Sequence, residues 1–161
     1  MFDDALLARA TALVAAYAKA GTRIATAESC TGGLVAGLLT AVPGSSAVVE
    51  RGFVTYSNEA KSEAIGVPAE LIEAHGAVSE AVARAMADGA LAASRADVAV
   101  AITGIAGPGG GSAAKPVGLV HFGLATRGGV HHLERRYGDL GRAEIRRRAV
   151  LDALDLLESA L

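Results

Sequence analysis

A nearly continuous apolar run at residues 97–103 (DVAVAIT) restricts the folds open to this 161-residue chain. The run has the length of a single β-strand, and it lacks the alternating polar positions of a strand with one face in water. We therefore expect this strand to be buried on both faces of its sheet. Strands of that kind occur in α/β proteins, where helices cover both faces.

Helical and strand-like patterns alternate through the first two thirds of the chain, and a hairpin follows. The predicted helices are 3–19, 34–42, 58–65, 68–74, 79–93 and 142–157, and the predicted strands are 23–27, 48–56, 97–103, 117–126 and 130–137. Asn58 and Ser79 are the expected N-caps of their helices. This order predicts one domain over residues 1–161, with an α/β fold built as a three-layer α/β/α sandwich around a mixed, mostly parallel sheet. Ligands of such sheets usually lie beyond the carboxyl ends of the parallel strands, where we predict the loops 28–33 and 104–112.

The composition argues against several functional classes. The formal net charge is −2, whereas proteins that bind nucleic acid generally present a basic face. The N-terminus lacks the basic region of a signal peptide, and no apolar run approaches the ~18 residues that cross a membrane. Cys30 is the only cysteine, so no disulfide can form within the chain, and a free thiol fits a reducing compartment. We therefore expect a cytoplasmic protein with no nucleic-acid or membrane partner.

Two further expectations concern metals and assembly. The four histidines do not have the spacing of a zinc site, so we expect no metal. An alanine-rich, weakly charged domain of this size is expected to form a homo-oligomer, although no interface can be named from the sequence.

Ser29 is a candidate nucleophile because it lies between a predicted strand end and a predicted helix start. The free N–H groups of a helix N-terminus could hold an oxyanion, and Gly32 and Gly33 would allow the backbone to approach a substrate closely. Alternatively, Ser29 or Thr31 simply caps the helix. Cys30 is a rival nucleophile, since a thiol at a helix N-terminus can be acidified, but a buried cysteine also serves as a small hydrophobic residue.

A serine nucleophile needs a base, and the segment YSNEAK (residues 56–61) offers Tyr56 and Lys61. Tyr56 falls at a strand end and Lys61 in the first turns of the next helix. Both side chains can therefore point into the same opening at the edge of the sheet. Burial lowers the proton affinity of a lysine. Lys61 could then accept the proton of Ser29, with the Tyr56 hydroxyl as relay. The alternative is an ordinary solvated lysine on a helix.

Two more segments could bind an anion. The segment TGIAGPGGG (residues 103–111) lacks the Lys-Ser/Thr of a P-loop, but its N–H groups could cradle a phosphate or a carbonyl; alternatively, it is a mobile surface loop. Arginines cluster at the start of the last predicted helix, where the helix dipole disfavours cations unless an anion compensates. They are Arg142, Arg146, Arg147 and Arg148. Arg142 is the candidate phosphate ligand, whereas a solvated basic face is the favoured interpretation of Arg147 and Arg148.

Three motifs occur in order: AESCTGG (27–33), GFVTYSNEAK (52–61) and TGIAGPGGGSAAKPVG (103–118). Together they resemble the nicotinamide-nucleotide amidohydrolase family, also known as the C-terminal domain of the competence/damage-inducible protein CinA. The resemblance extends from about residue 5 to residue 158. Because the family's molybdopterin-binding-like domain does not precede these motifs here, we expect the stand-alone form.

The resemblance implies hydrolysis of the carboxamide of nicotinamide mononucleotide to nicotinate mononucleotide and ammonia, a step in pyridine-nucleotide recycling, without metal or cofactor. It assigns catalysis to Ser29, Tyr56 and Lys61, and it places Thr103 and Gly104 in the pocket of this small-molecule nucleotide substrate. The N–H groups around Cys30, Thr31, Gly32 and Gly33 are the expected oxyanion donors. Where the family usually has Gly-Asp-Arg before the last helix, this chain has two extra residues in Gly138–Arg142. The alternative function is a non-catalytic nucleotide-binding module that uses the same pocket.

Overall fold

The computed structural model describes residues 1–161 and contains every predicted helix and strand, with element ends displaced by no more than two residues. The helices are α1 (Asp4–Ala20), α2 (Leu34–Thr40), α3 (Asn58–Ile65), α4 (Ala69–His75), α5 (Glu80–Ala92) and α6 (Arg142–Ser159). The strands are β1 (Ile24–Glu28), β2 (Val49–Val54), β3 (Val98–Gly104), β4 (Leu119–Thr126) and β5 (Gly129–Arg136). A short 3-10 turn at Ser45–Ala47 leads into β2.

The five strands form one mixed sheet with the order β2-β1-β3-β4-β5. β1 is parallel to both β2 and β3, while β4 is antiparallel to both β3 and β5. The predicted α/β fold with a mixed sheet is therefore confirmed. Only β4 runs opposite to the other four strands, so the sheet is mostly parallel in strand direction, as expected. Of its four strand pairings, however, two are parallel and two are antiparallel. Both antiparallel pairings involve β4.

The central strand β3 is covered on both faces, as the apolar run predicted. Its alternate residues Val98, Val100 and Ile102 pack in the core beneath α1, α2 and α6. The intervening residues Ala99 and Ala101 pack in a second core, formed mainly with α3, α4 and α5. Large side chains therefore fill one layer and alanines the other, which brings α5 close to the sheet.

The buried faces and caps of the helices can be compared with those expected from the sequence. In α6 the buried residues are those of the predicted apolar stripe: Ile145, Ala149, Val150, Ala153, Leu154 and Leu157. Ser79 caps α5 as predicted, by accepting a hydrogen bond from the Val82 N–H. The prediction for α3 was wrong by one residue, because Ser57 rather than Asn58 accepts the capping bond. None of the helices combines the length and the hydrophobicity needed to cross a bilayer.

Candidate active site

The carboxyl ends of the three parallel strands meet at one edge of the sheet. Glu28, the last residue of β1, is in register with Val54 of β2 and with Ile102 of β3. Ser29 follows immediately and donates its N–H to the Ile102 carbonyl at 2.9 Å. The segments after β1, β2 and β3 therefore surround Ser29, at the edge where the fold predicted a ligand site.

Ser29 and Lys61 are in direct contact. The Lys61 Nζ lies 3.2 Å from the Ser29 Oγ, and the lysine side chain is only 1 % exposed. The same amine donates to the Thr55 carbonyl at 2.8 Å, with the carbonyls of Tyr56 and Ser57 at 3.5 and 3.4 Å. Lys61 is therefore not a solvated surface lysine.

Burial lowers the pKa of Lys61 below its ordinary value, because the charged amine has lost its hydration. The electrostatic influences of Cys30 and, to a smaller extent, of Glu59 act in the opposite direction. A neutral amine has two N–H groups for the surrounding carbonyls and one lone pair for the hydroxyl of Ser29. The arrangement can therefore remove a proton from Ser29.

Glu28 changes the expected use of the α2 N-terminus. Its fully buried carboxylate accepts hydrogen bonds from the N–H groups of Gly33, Val35 and Ala36, at 3.1, 3.1 and 2.9 Å. The Gly32 N–H is also engaged, with the Ser29 carbonyl at 3.0 Å. Gly32 and Gly33 are therefore not free oxyanion donors. Their backbone φ angles of 60° and 96° explain instead why the turn needs glycine.

The backbone N–H groups of the two residues after Ser29 are not used in capping α2. The N–H groups of Cys30 and Thr31 donate to no protein oxygen, and of the two residues only Cys30 retains any exposure, 6 %. Neither Ser29 nor Thr31 caps α2, because the N-cap position belongs to Gly33 and Glu28 takes the N–H groups. Burial raises the pKa of the Cys30 thiol to about 12, which keeps it protonated and argues against a thiolate nucleophile.

The hydroxyl of Tyr56 does not reach the Ser29–Lys61 pair. Its side chain is 59 % exposed, and its oxygen accepts a hydrogen bond from Arg142 at 3.0 Å. Only the Tyr56 backbone carbonyl contacts Lys61. The predicted proton relay is therefore not formed in this structure, because the chain turns outward after β2.

Arg142 lies at the mouth of the site despite the two extra residues that precede it. It donates to the Gly107 carbonyl at 3.0 Å as well as to Tyr56, so it joins the glycine-rich loop to the exit of β2. The loop is thereby tied to α6 at this point.

Thr103 and Gly104 lie at the end of β3, and their contacts shape this end of the strand. The buried Thr103 hydroxyl donates to the Ala77 carbonyl at 2.8 Å. A Cβ added to Gly104 would lie 2.7 Å from the Val120 Cγ2 and 2.9 Å from the Leu119 carbonyl oxygen. Gly104 therefore allows β4 to approach closely. Both residues position the glycine-rich loop that follows them.

Sequence reasoning missed the roles of Glu28 and Arg146. The Arg146 guanidinium donates through Nε to the Cys30 carbonyl and through an NH2 group to the Thr31 carbonyl, both at 3.1 Å. Two signals were available. Glu28 is a lone charge between a buried strand and a turn, and Arg146 follows Arg142 by four residues, which places both on one helix face.

The site is open in this single chain. The largest cavity, about 670 Å³, lies at the opposite end of the sheet near Asp97, Arg127 and Ser159, and no cavity includes Ser29. Chemistry and cavity size therefore point to different ends of the sheet. We place the site at Ser29, because the large cavity contains no comparable pair of reactive groups.

Comparison with known proteins identifies one family. The model of the CinA C-terminal domain matches residues 7–161. A CinA-like protein of Anaeromyxobacter dehalogenans (strain 2CP-1) is 56 % identical over 150 residues, which are 92 % of this chain and 36 % of that protein. A CinA-like protein of Mycolicibacterium gilvum is 56 % identical over 142 residues, 88 % of this chain and 34 % of that protein. The chain thus spans about a third of the length of these curated relatives.

Solved structures show the same fold over nearly the whole chain. The crystal structure of competence/damage inducible protein CihA from Agrobacterium tumefaciens has a TM-score of 0.96 at 54 % identity, and the match covers 99 % of this chain and 97 % of that one. A CinA superfamily protein of Escherichia coli has a TM-score of 0.92 at 34 % identity, with 100 % and 94 % covered.

Proposed function

The chain belongs to the CinA C-terminal domain family, and on that premise we propose that it is an amidohydrolase with Ser29 as nucleophile and Lys61 as general base. One observation carries the proposal: the 3.2 Å contact between the Ser29 Oγ and a buried Lys61 amine. A hydroxyl and a lysine that burial holds towards its neutral form are the two groups that nucleophilic attack on an amide requires.

The reaction proceeds through an acyl-enzyme. Lys61 takes the Ser29 proton while the oxygen forms a bond to the carboxamide carbon. The C–N bond then breaks, and the departing nitrogen takes that proton from Lys61 and leaves as ammonia. Water attacks the resulting ester with Lys61 as base again, and the proton returns to Ser29, which releases the carboxylic acid.

The oxyanion formed in this reaction needs hydrogen-bond donors. The unpaired N–H groups of Cys30 and Thr31 are the candidates, since those of Gly32 and Gly33 are already engaged. Cys30 is the more accessible of the two, so we assign the first contact to its N–H. Loss of one such donor typically reduces kcat by about 10²–10³-fold.

Our proposed substrate is nicotinamide mononucleotide, in keeping with the family resemblance. The charges at the mouth support an anionic substrate. Arg142 has no carboxylate partner, whereas Arg147 pairs with Asp3 and Arg148 with Glu144. In a chain of net charge −2, a guanidinium group without a counter-ion at the mouth favours a phosphate there. A cytoplasmic location, where such nucleotides occur, is part of the proposal.

The test is a coupled ammonia assay on nicotinamide mononucleotide, nicotinamide riboside and nicotinamide. We expect ammonia from the phosphorylated substrate, a much lower kcat/KM without the 5′-phosphate, and none from Ser29→Ala. The variant should still bind the nucleotide in calorimetry. Binding by the parent protein without ammonia release would support the non-catalytic nucleotide-binding module instead.

A further inference from the structure

The position of the Ser29 hydroxyl depends on an irregular segment. Residues 29–33 connect β1 to α2 without forming strand or helix. A serine side chain has three staggered rotamers, so backbone geometry decides which of them reaches Lys61. A segment without its own ladder of hydrogen bonds must be held from outside to keep that geometry.

Glu28 holds one end of this segment. It accepts three N–H groups from the start of α2, and these charge-assisted bonds compensate its full burial. The bonds fix α2 relative to the end of β1. They leave the peptide groups between Cys30 and Gly32 without support from this side.

Arg146 holds the middle of the segment. Its two bonds to the Cys30 and Thr31 carbonyls turn both carbonyls towards α6. In a trans peptide the N–H points opposite to the carbonyl, so the N–H groups of Thr31 and Gly32 point away from Arg146. The Gly32 N–H donates to the Ser29 carbonyl at 3.0 Å. Ser29 therefore lies on the face of the segment opposite to Arg146.

We infer that Arg146 is a positioning residue for Ser29: it fixes the Cys30–Thr31 and Thr31–Gly32 peptide planes and thereby holds the hydroxyl against Lys61. The inference rests on the proposed function. Arg146 differs from its neighbours in α6, because Arg147 and Arg148 form ion pairs with carboxylates whereas both bonds of Arg146 go to the backbone beside Ser29. Its guanidinium also packs 3.5 Å from the position where a Cβ of Gly32 would lie.

The experiment compares Arg146→Ala with Arg148→Ala, a matched change on the same helix that removes only an exposed ion pair. We expect Arg146→Ala to lower kcat on nicotinamide mononucleotide by about 100-fold, as for a misplaced catalytic group. Its KM should stay within about threefold, because an interaction absent from substrate binding acts on kcat. Guanidinium chloride, far below denaturing concentrations, should restore part of kcat, whereas sodium chloride of equal ionic strength should not.

Three results would overturn the assignment: a kcat of Arg146→Ala near that of the parent, an equal loss in Arg148→Ala, or a loss confined to KM. If Arg146→Ala does not fold, Arg146→Lys replaces it. The lysine amine can donate to one of the two carbonyls, but it lacks the paired donors of a guanidinium that bind both. An intermediate kcat in Arg146→Lys supports the role, and a kcat equal to that of the parent contradicts it.

A second readout separates this inference from the proposed function. A fluorophosphonate ester forms a P–O bond to an activated serine, with Lys61 taking the proton and fluoride leaving. If the parent releases no ammonia from any amide, the proposed function fails, yet Ser29 labelling can still be compared. Slower labelling in Arg146→Ala than in Arg148→Ala, with none in Ser29→Ala, supports positioning. Equal labelling rates in the two arginine variants would refute it.

Discussion

At the scale of single residues, the site depends on one amine that is kept out of water. Lys61 lies in the first turn of α3, but its side chain runs inward to the carbonyls that follow β2. Those carbonyls accept its N–H groups without adding a formal charge. Burial therefore decides the direction of its pKa shift, and the Ser29 hydroxyl is the hydrogen-bonded group that can give it a proton.

We predict that kcat/KM rises with pH along a limb set by Lys61. The base must be neutral, and its pKa lies below the ordinary lysine value of 10.5, so activity is lost as pH falls through the lowered pKa and is retained above it. A pH–rate profile from acidic to alkaline conditions measures this. A rate that is constant over that whole range would contradict a basic role for Lys61.

Lys61→Met should abolish most activity and yet stabilise the protein near neutral pH. Because the folded-state pKa is lowered, the unfolded chain binds the proton more tightly, so the parent gains stability as pH rises from the lowered pKa towards 10.5. Methionine removes this dependence. Urea unfolding at two pH values measures it, with Lys19→Met on the exposed end of α1 as control. Equal pH dependence of unfolding in the parent and in Lys61→Met would argue against a buried, destabilised amine.

At the scale of elements, α2 begins where it does because of a side chain outside the helix. Its N-cap residue is a glycine with no capping side chain, and the carboxylate of Glu28 supplies the acceptors. The negative charge also suits the positive end of the helix dipole. One carboxylate thus joins the end of β1 to the start of α2, with the nucleophile between them.

Glu28→Gln is expected to destabilise the protein by about 1–3 kcal/mol, since one amide oxygen replaces two charged acceptors and an NH2 group is buried beside three N–H donors. Chemical denaturation measures the change in the free energy of unfolding. Glu144→Gln, on the exposed side of α6, should change it by less than about 0.5 kcal/mol. Similar values for the two variants would show that the Glu28 carboxylate is not needed to cap α2.

The contact between α5 and the sheet gives another prediction. A Cβ on Gly123 of β4 would lie far inside van der Waals contact of the Ala83 carbonyl oxygen in α5. Gly123→Ala should therefore destabilise the protein by about 1–3 kcal/mol, as overpacking does. Gly109→Ala, where a Cβ would meet nothing within 4 Å, should be nearly neutral in the same thermal unfolding experiment. An unchanged melting temperature in Gly123→Ala would contradict this close approach.

At the scale of the whole molecule, the site is open, and apolar side chains are exposed beside Arg142 on its rim. Val54, Tyr56 and Leu140 are among the few large hydrophobic residues that stay exposed. Tyr56 lies beside Arg142, and the Val54 side chain lies beside Gly33.

The expected homo-oligomer stays a prediction. Light scattering of the purified protein should give a mass of at least twice the 16.1 kDa of one chain. A monomer at all concentrations would contradict it.

Helices and strands were predictable because they depend on neighbours in the chain. Periodicity located the long helices α1, α5 and α6, and caps, a proline and turns located the short ones. The run at 97–103 predicted a strand covered on both faces, with Ile102 and Ala101 now on opposite sides. Ser29, Tyr56 and Lys61 could be named from motifs, and the edge where they gather follows from the ends of parallel strands.

Contacts between distant segments required the folded chain. Arg146 and the Cys30 carbonyl are 116 positions apart, so no local pattern pairs them. Because the chain turns outward after β2, the Tyr56 hydroxyl contacts Arg142 instead of Lys61. Local preferences follow from steric and hydrogen-bonding rules within a few residues, whereas the hydrogen-bond partner of a polar side chain depends on which groups packing leaves within about 3 Å of it.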